Sequence, residues 1–347
     1  MSRNLWIATL AGMLLLWLAP LGSYRLFNPD EGRYAEIPRE MLASGDWVTP
    51  RLDGLKYFEK PPLQYWFTAA TYSLFGVHEW SARAWTALTA LAGLLLTGWL
   101  ALRLRGREVA LYATAIQAGA LMYVSLARIL TLDMGLCFTL ELALGGLLLL
   151  VHEPRGRADE RLGAALLAAG VVLAFLAKGL VGILLPGAVA ALYVIWKRDF
   201  GLLLRARPWW TAAALLAVAG PWVWLVEQRN PGFASFFFVH EHFARFLTRV
   251  HQRYEPDWFF IPVLVLGFMP WTPLLPAIAR DAWARVRRGE PIATLLSLWV
   301  VFGFGFFSLS QSKLAPYILP LFPALALLAG DVLRTLEPGR LRRALGF

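Results

Sequence analysis

The chain has 347 residues, of which 58% are apolar and only 16% charged. So little charge across so much apolar sequence excludes an ordinary water-soluble domain, and the formal charge of +10 reads as membrane topology, not as a nucleic-acid footprint. A single cysteine, Cys137, leaves no internal disulfide and no thiolate metal cluster.

Apolar runs of about 16 to 22 residues, enough to span roughly 30 Å of hydrocarbon, lie near residues 5–23, 84–102, 109–127, 132–151, 163–178, 180–196, 209–226, 258–279, 291–308 and 316–333. None alternates as a barrel strand would, and backbone groups in hydrocarbon need internal partners. The expectation is an all-α polytopic membrane protein with about ten transmembrane helices. The first run follows Arg3, but Trp17-Leu18-Ala19-Pro20 is a poor signal-cleavage site, so it is expected to be a retained helix. Every second connection is basic, from Arg3 through the Arg103/Arg105/Arg107 and Arg285/Arg287/Arg288 groups to Arg343. These segments hold 19 of the 33 Lys and Arg against nine acids, which is the entire +10. Positive charge marks the cytoplasmic side, so the N-terminus is expected in the cytoplasm of a bacterial inner membrane.

The opposite side receives residues 24–83, residues 227–257 and the turn 310–315. In the first loop, residues 24–63 mix seven acids with six bases. Asn28-Pro29-Asp30-Glu31 reads as a helix start with Asn28 as cap, Pro29 in the first turn and Glu31 as capping-box acid. Pro38 is expected to interrupt that helix and Gly45 to end it. Asp30 and Arg33 share a helix face one turn apart, and an acid beside an Arg suits a phosphate-bearing sugar donor: the Arg holds phosphate oxygens while the carboxylate accepts a proton or opposes positive charge. The commonplace alternative is an exposed ion pair. Tyr57-Phe58-Glu59-Lys60-Pro61-Pro62 brings a second candidate phosphate clamp, Lys60. Residues 61–76 are too short for a span and read as an interfacial helix with Tyr65, Trp66 and Tyr72 at headgroup depth.

Further along, Asp133 opens the fourth span near Arg128, and Lys178 closes the fifth on the same side. These intramembrane charges either face an outer cavity or form a structural ion pair. His240-Glu241-His242, followed by Arg245 and Arg249, clusters metal-capable and basic groups, although two His two residues apart suit a loop or strand more than one helix face. Lys313 and Tyr317, at the top of the tenth span, can reach the same cavity.

Taken together, Asp30-Glu31-Gly32-Arg33-Tyr34-Ala35-Glu36-Ile37, Gly45-Asp46-Trp47, Tyr57-Phe58-Glu59-Lys60-Pro61-Pro62, Leu132-Asp133, Glu241-His242 with Arg245-Phe246, and Ser312-Lys313-Leu314 with Tyr317 occur in an order that resembles the lipid A aminoarabinose transferases and their protein O-mannosyltransferase-like relatives. The resemblance implies a GT-C helical bundle with outer-face juxtamembrane helices. It implies an inverting glycosyltransferase that moves a sugar from a polyprenyl phosphate to a lipid A-like glycolipid or other acceptor. Asp30 would match the essential acid, with Glu31 beside it as a second catalytic candidate. Arg33 and Lys60 would hold the donor phosphate, with Tyr34, Tyr57, Asp133, Lys313 and Tyr317 completing the substrate site. Glu59 and a loop histidine, best matched by His242, would hold a divalent metal, Zn or Mg.

Relatives of this kind carry further spans and usually a soluble outer domain beyond the position of Phe347. The expectation is a single transmembrane module over 1–347 with that domain absent and the acceptor unspecified. A transporter or flippase of lipid-linked sugars is the rival class. Such proteins place binding groups near the bilayer midplane on broken helices of two repeats, whereas here acids and bases gather in one outer layer.

Overall fold

The computed structural model describes residues 17–152, 156–247 and 254–335. Helix α1, Asp30–Ser44, begins after Pro29, which offers no side-chain cap. The expected Asn28 cap is not formed. Glu31 instead reaches back to accept the Phe27 N–H at 2.8 Å. Pro38 lies inside α1 without interrupting it, and Gly45 closes the helix at φ 70°, donating its N–H to the Met41 carbonyl. A two-residue hairpin follows, Arg51–Leu52 against Leu55–Lys56. Asp53 and Gly54 both take positive φ, 53° and 76°, the backbone a tight hairpin requires.

Helix α2, Leu63–Phe75, is the predicted short helix, but its tyrosines do not sit at an interface. Tyr65 packs with Ile37, Met41 and Tyr57, and Tyr72 packs with Ala35, so both are buried against α1. The apolar tail of α2, Leu74 and Phe75, is the part left exposed.

The bundle proper comprises α3 (Glu79–Arg105), α4 (Arg107–Gly119), α5 (Leu121–Leu126), α6 (Leu132–Val151), α7 (Arg157–Lys178) and α8 (Val181–Lys197), then helical stretches Gly201–Arg229, Phe260–Gly267, Thr272–Arg287, Pro291–Leu309 and Ala315–Thr335. Among the described residues six are long and apolar enough to cross a membrane, or seven if Phe260–Gly267 and Thr272–Arg287, bent by 113°, form one broken span. The expected count of ten is not confirmed among these residues. The run at 5–23 falls largely outside the described residues. The run at 109–127 is split between α4 and α5 at the extended residue Ala120, and α8 is a short apolar helix. Leu95, Leu216, Trp224 and Val301 project outward, as on a lipid-facing surface.

Helix α6 runs through the middle, buried along nearly its whole length, and its tightest neighbour is α7. A Cβ on Gly146 would stand 2.5 Å from the Gly163 carbonyl, and one on Gly170 would stand 2.3 Å from the Ala143 nitrogen. Small residues at that seam are what let two helix backbones touch. At the Arg105 end of α3, Arg103 pairs with Asp159, Arg105 with Glu290 and Asp331, and Arg285 with Glu290 and Asp331 at 2.5 and 2.6 Å. This charged layer collects residues from four predicted cytoplasmic connections. At about 1.5 Å per residue, α3 separates it from the Glu79 end by roughly a membrane thickness.

Candidate active site

At the opposite end, the chain from Ser235 to Ala244 winds as a π-helix and continues into a helical turn, Arg245–Leu247. The wide winding brings Glu241, His242 and Arg245 toward the C-terminal end of α7 and the start of α8. There they border a cavity of about 410 Å³ whose polar walls include Glu59, Lys60, Lys178, Glu241, His242, Arg245 and Tyr317. Leu136, Leu184, Phe306 and Phe307 make its apolar walls.

Glu241 is 5% exposed and sits at the centre of the charges. Arg245 Nη1 lies 3.1 Å and Lys60 Nζ 3.7 Å from the same oxygen, Oε2, and His240 Nδ1 lies 3.4 Å from Oε1. Arg245 also donates to the Tyr317 hydroxyl at 3.1 Å. Lys178 forms an ion pair with Asp133 and stands 4.6 Å from the centre of the Tyr317 ring. Lys60 donates to the Glu59 carbonyl at 2.8 Å. Burial, and then Arg245, push the Lys60 ammonium down to about 7, because the nearby carboxylates do not repay its desolvation. Three cations converging on one cavity make a seat for an anion.

A second polar patch adjoins through Glu59. Arg33 Nη1 lies 3.9 Å from Asp30, and the Tyr57 hydroxyl is beside Arg33 and Glu59. Tyr34 stacks on Tyr65 with ring centres 6.5 Å apart. Burial and then Glu59 push the Tyr57 phenol up, so it is a neutral hydroxyl at physiological pH. Asp30 projects from the first turn of α1 and is largely exposed. The structure thus joins Lys60, Glu59, His242 and Tyr317 in one cavity, sets the Asp133–Lys178 pair at its wall, and leaves Asp30, Arg33, Tyr34 and Tyr57 in the adjoining patch.

Two expected site residues stand apart from the cavity. Glu31 is fully buried and accepts from Arg83 Nε and Nη2, both at 2.8 Å, from the Leu130 N–H at 2.7 Å and from the Phe27 N–H. Burial pulls its carboxyl up, but these bonds outweigh it and hold the group below its ordinary range. Glu31 is a structural anchor, with its acceptor capacity spent. Lys313 is likewise buried and turned away: it donates to the Glu255 carbonyl at 2.7 Å, stands 3.6 Å from Asp257, and fixes that segment. In the expected metal pair, both ring nitrogens of His242 have backbone partners. His242 Nε2 accepts the Leu180 N–H at 3.0 Å, which leaves Nδ1–H to donate to the Phe237 carbonyl at 2.6 Å. Burial, and then Lys60, lower the His242 pKa, keeping the ring neutral. Among the described residues the carboxylate oxygens that approach as a threesome are those of Glu36, Glu40 and Asp53, on the outer surface. Arg249 lies outside the described residues.

Glu241, Arg245 and Lys178 are cavity residues that sequence reasoning did not assign to binding. The i, i+4 spacing of Glu241 and Arg245 and the intramembrane position of Lys178 were the available signals.

Comparison with known proteins agrees with this geometry. Residues 4–237 match the family described as dolichyl-phosphate-mannose-protein mannosyltransferase. Undecaprenyl phosphate-alpha-4-amino-4-deoxy-L-arabinose arabinosyl transferase of Pseudomonas aeruginosa (strain UCBPP-PA14) is 37% identical over 332 residues, 95% of this chain and 60% of that protein. The protein of the same name from Aeromonas salmonicida (strain A449) is 38% identical over 332 residues, again 95% and 60%. The crystal structure of ArnT from Cupriavidus metallidurans bound to undecaprenyl phosphate superposes with a TM-score of 0.92 at 39% identity, covering 99% of this chain and 62% of that one. The archaeal oligosaccharyltransferase AglB from Archaeoglobus fulgidus shares the fold, with a TM-score of 0.59 at 14% identity over 97% of this chain and 52% of that one. The chain therefore spans about three fifths of the length of the curated relatives it matches.

Proposed function

Because the chain belongs to the dolichyl-phosphate-mannose-protein mannosyltransferase family, we propose that it is an inverting glycosyltransferase. It takes a sugar from a polyprenyl phosphate donor and passes it to a glycolipid or other acceptor. The observation that carries this reading is the convergence of Lys60, Lys178 and Arg245 on one cavity with apolar walls. That combination suits an anionic headgroup attached to a hydrocarbon chain.

In this reading the donor phosphate is the leaving group. Lys60 and Arg245 oppose the negative charge that grows on it as the bond to the anomeric carbon breaks, and Tyr317 orients Arg245. The acceptor attacks the anomeric carbon from the opposite face, which inverts its configuration. Asp30, exposed beside Arg33, faces the acceptor side: it is the general base if the acceptor is a hydroxyl, and it positions the acceptor if that group is already a phosphate. Recovery of a product with retained configuration would exclude this scheme. The charged layer at the Arg105 end, where the arginine-rich connections meet, supports an orientation with that end and the N-terminus in the cytoplasm of a bacterial inner membrane and the cavity on the outer side.

The test is lipid mass spectrometry on membranes of cells supplied with polyprenyl phosphate sugars, 4-amino-4-deoxy-L-arabinose first. A glycosylated lipid with the wild type, absent with Asp30→Asn, is expected and would identify sugar and acceptor together. Identical lipid profiles from a wild type and variant that are both folded and abundant would overturn the reading.

A further inference from the structure

The cavity is lined by three cations, Lys60, Lys178 and Arg245, and two carboxylates, Glu59 and Glu241; with Asp133 paired to Lys178 behind the wall, its charges balance wherever Lys60 is protonated. Glu241 governs that balance. It is nearly buried, and its Oε2 is shared between Arg245 at 3.1 Å and Lys60 at 3.7 Å. A carboxylate in that position occupies part of the seat an incoming phosphate would use. Group transfer changes the charge of the phosphate that sits there. The donor is a phosphodiester with one negative charge. When its bond to the anomeric carbon breaks, the electron pair stays on the phosphate oxygen and the new bond forms between that carbon and the acceptor oxygen. The lipid left behind is a phosphomonoester with a second negative charge.

We propose that Glu241 is a specificity-determining residue that matches the cavity to a singly charged phosphodiester and disfavours the doubly charged phosphomonoester product, so that spent lipid phosphate is released. This rests on the transferase reading above. The groups around Glu241 are Lys60, Arg245 and His240. Lys178, Glu59, His242 and Tyr317 border the same cavity, and Asp133 stands behind Lys178. Without the Glu241 charge the cations would be in excess, and the cavity would hold a dianion more tightly than a monoanion, since attraction scales with the product of charges.

The experiment measures equilibrium binding of two lipids, undecaprenyl phosphate and its methyl phosphodiester, to the purified chain in lipid nanodiscs at about pH 6.8, below the point where Lys60 loses its charge and above the second ionisation of the monoester. Glu241→Gln, which keeps shape and removes charge, is expected to tighten the monoester about tenfold more than the diester. Equal changes for both lipids, or weaker binding of both, would overturn the proposal and make Glu241 a structural support for Arg245. If the variant does not fold, the wild type answers alone. The second ionisation of a phosphomonoester lies near pH 6, so at pH 5.5 the monoester carries mostly one charge and its affinity should approach that of the diester at the same pH. A monoester-to-diester ratio unchanged between about pH 5.5 and pH 6.8, a range in which the monoester gains its second charge while Lys60 stays largely protonated, would overturn the proposal. A wild type that binds neither lipid would overturn the transferase reading itself and this inference with it.

Discussion

Arg83 and Glu31 meet as a fully buried pair, joined by two parallel 2.8 Å hydrogen bonds that tie the first turn of α1 to the first turns of α3. The remaining Arg83 donors go to the carbonyls of Leu21, Tyr24 and Arg25. Removing one partner strands the other in a fully buried site, at a cost of about 3–5 kcal/mol. Arg83→Met and Glu31→Gln are therefore expected to lower the yield and melting temperature of the detergent-solubilised protein, whereas a catalytic Glu31 would leave folding intact and abolish turnover. Since the Glu31 carboxyl titrates below its ordinary value, its contribution is present above that value and fades as pH falls through the lowered one.

Lys60 supplies the second prediction. Its pKa, depressed to about 7, leaves it charged below that pH and progressively neutral above it. Binding of an anionic donor should weaken as pH rises through 7, because the phosphate then meets an uncharged amine. Lys60→Arg, permanently charged, is expected to flatten that dependence, and Lys60→Met to lower kcat/KM by about 10- to 100-fold, the worth of one charge-assisted hydrogen bond. A wild-type profile with no inflection between pH 6 and 9 would count against Lys60 as a phosphate ligand.

Much of this site was legible in the sequence, for a physical reason. Lys60, Tyr317 and the Asp133–Lys178 pair are polar groups next to long apolar runs, where only a partner or a ligand justifies the cost of desolvation. Glu31 and Lys313 stood out on the same ground, and the sequence alone does not distinguish a buried anchor from a ligand contact. Arg83, the partner of Glu31, lies 52 positions away, at the start of a helix that reads as ordinary. The π-helix at Ser235–Ala244 has no pattern of its own, so Glu241 and Arg245 could not be aimed at the cavity beforehand. Hydropathy reads 109–127 as one continuous run because it averages over a break that one extended residue, Ala120, introduces.

Two glycines test different links in the chain from packing to site. At Gly170 an added Cβ would meet Ala143 backbone at 2.3 Å, so Gly170→Ala should force α6 and α7 apart, cost about 1–3 kcal/mol, and lower the melting temperature. At Gly179, where φ is +81°, the same atom would come within 2.1 Å of His242 Nε2. Gly179→Ala is expected to displace His242 from the Leu180 amide and disturb Glu241 beside it. Its signature would be a raised KM for donor, out of proportion to any loss of melting temperature. If both variants changed stability and activity in parallel, the distinction between seam and site would fail.

Tyr317 does two things that substitution can separate. Its hydroxyl accepts from Arg245 at 3.1 Å, and its ring lies 4.6 Å from Lys178 Nζ. Tyr317→Phe keeps the ring and deletes the hydroxyl, which removes one hydrogen bond to a charged donor, worth about 1.5–3 kcal/mol. The expected result is a loss of about 10- to 100-fold in kcat/KM, with melting temperature little changed. Tyr317→Leu also removes the cation–π contact to Lys178, worth about 0.5–2 kcal/mol, so its loss should exceed that of the phenylalanine variant. If the two variants are equally impaired, the ring contributes nothing through Lys178 and the hydroxyl alone orients the site. If the phenylalanine variant retains full activity, Glu241 holds Arg245 without help from Tyr317, and the hydroxyl has no part in aiming the guanidinium at the phosphate.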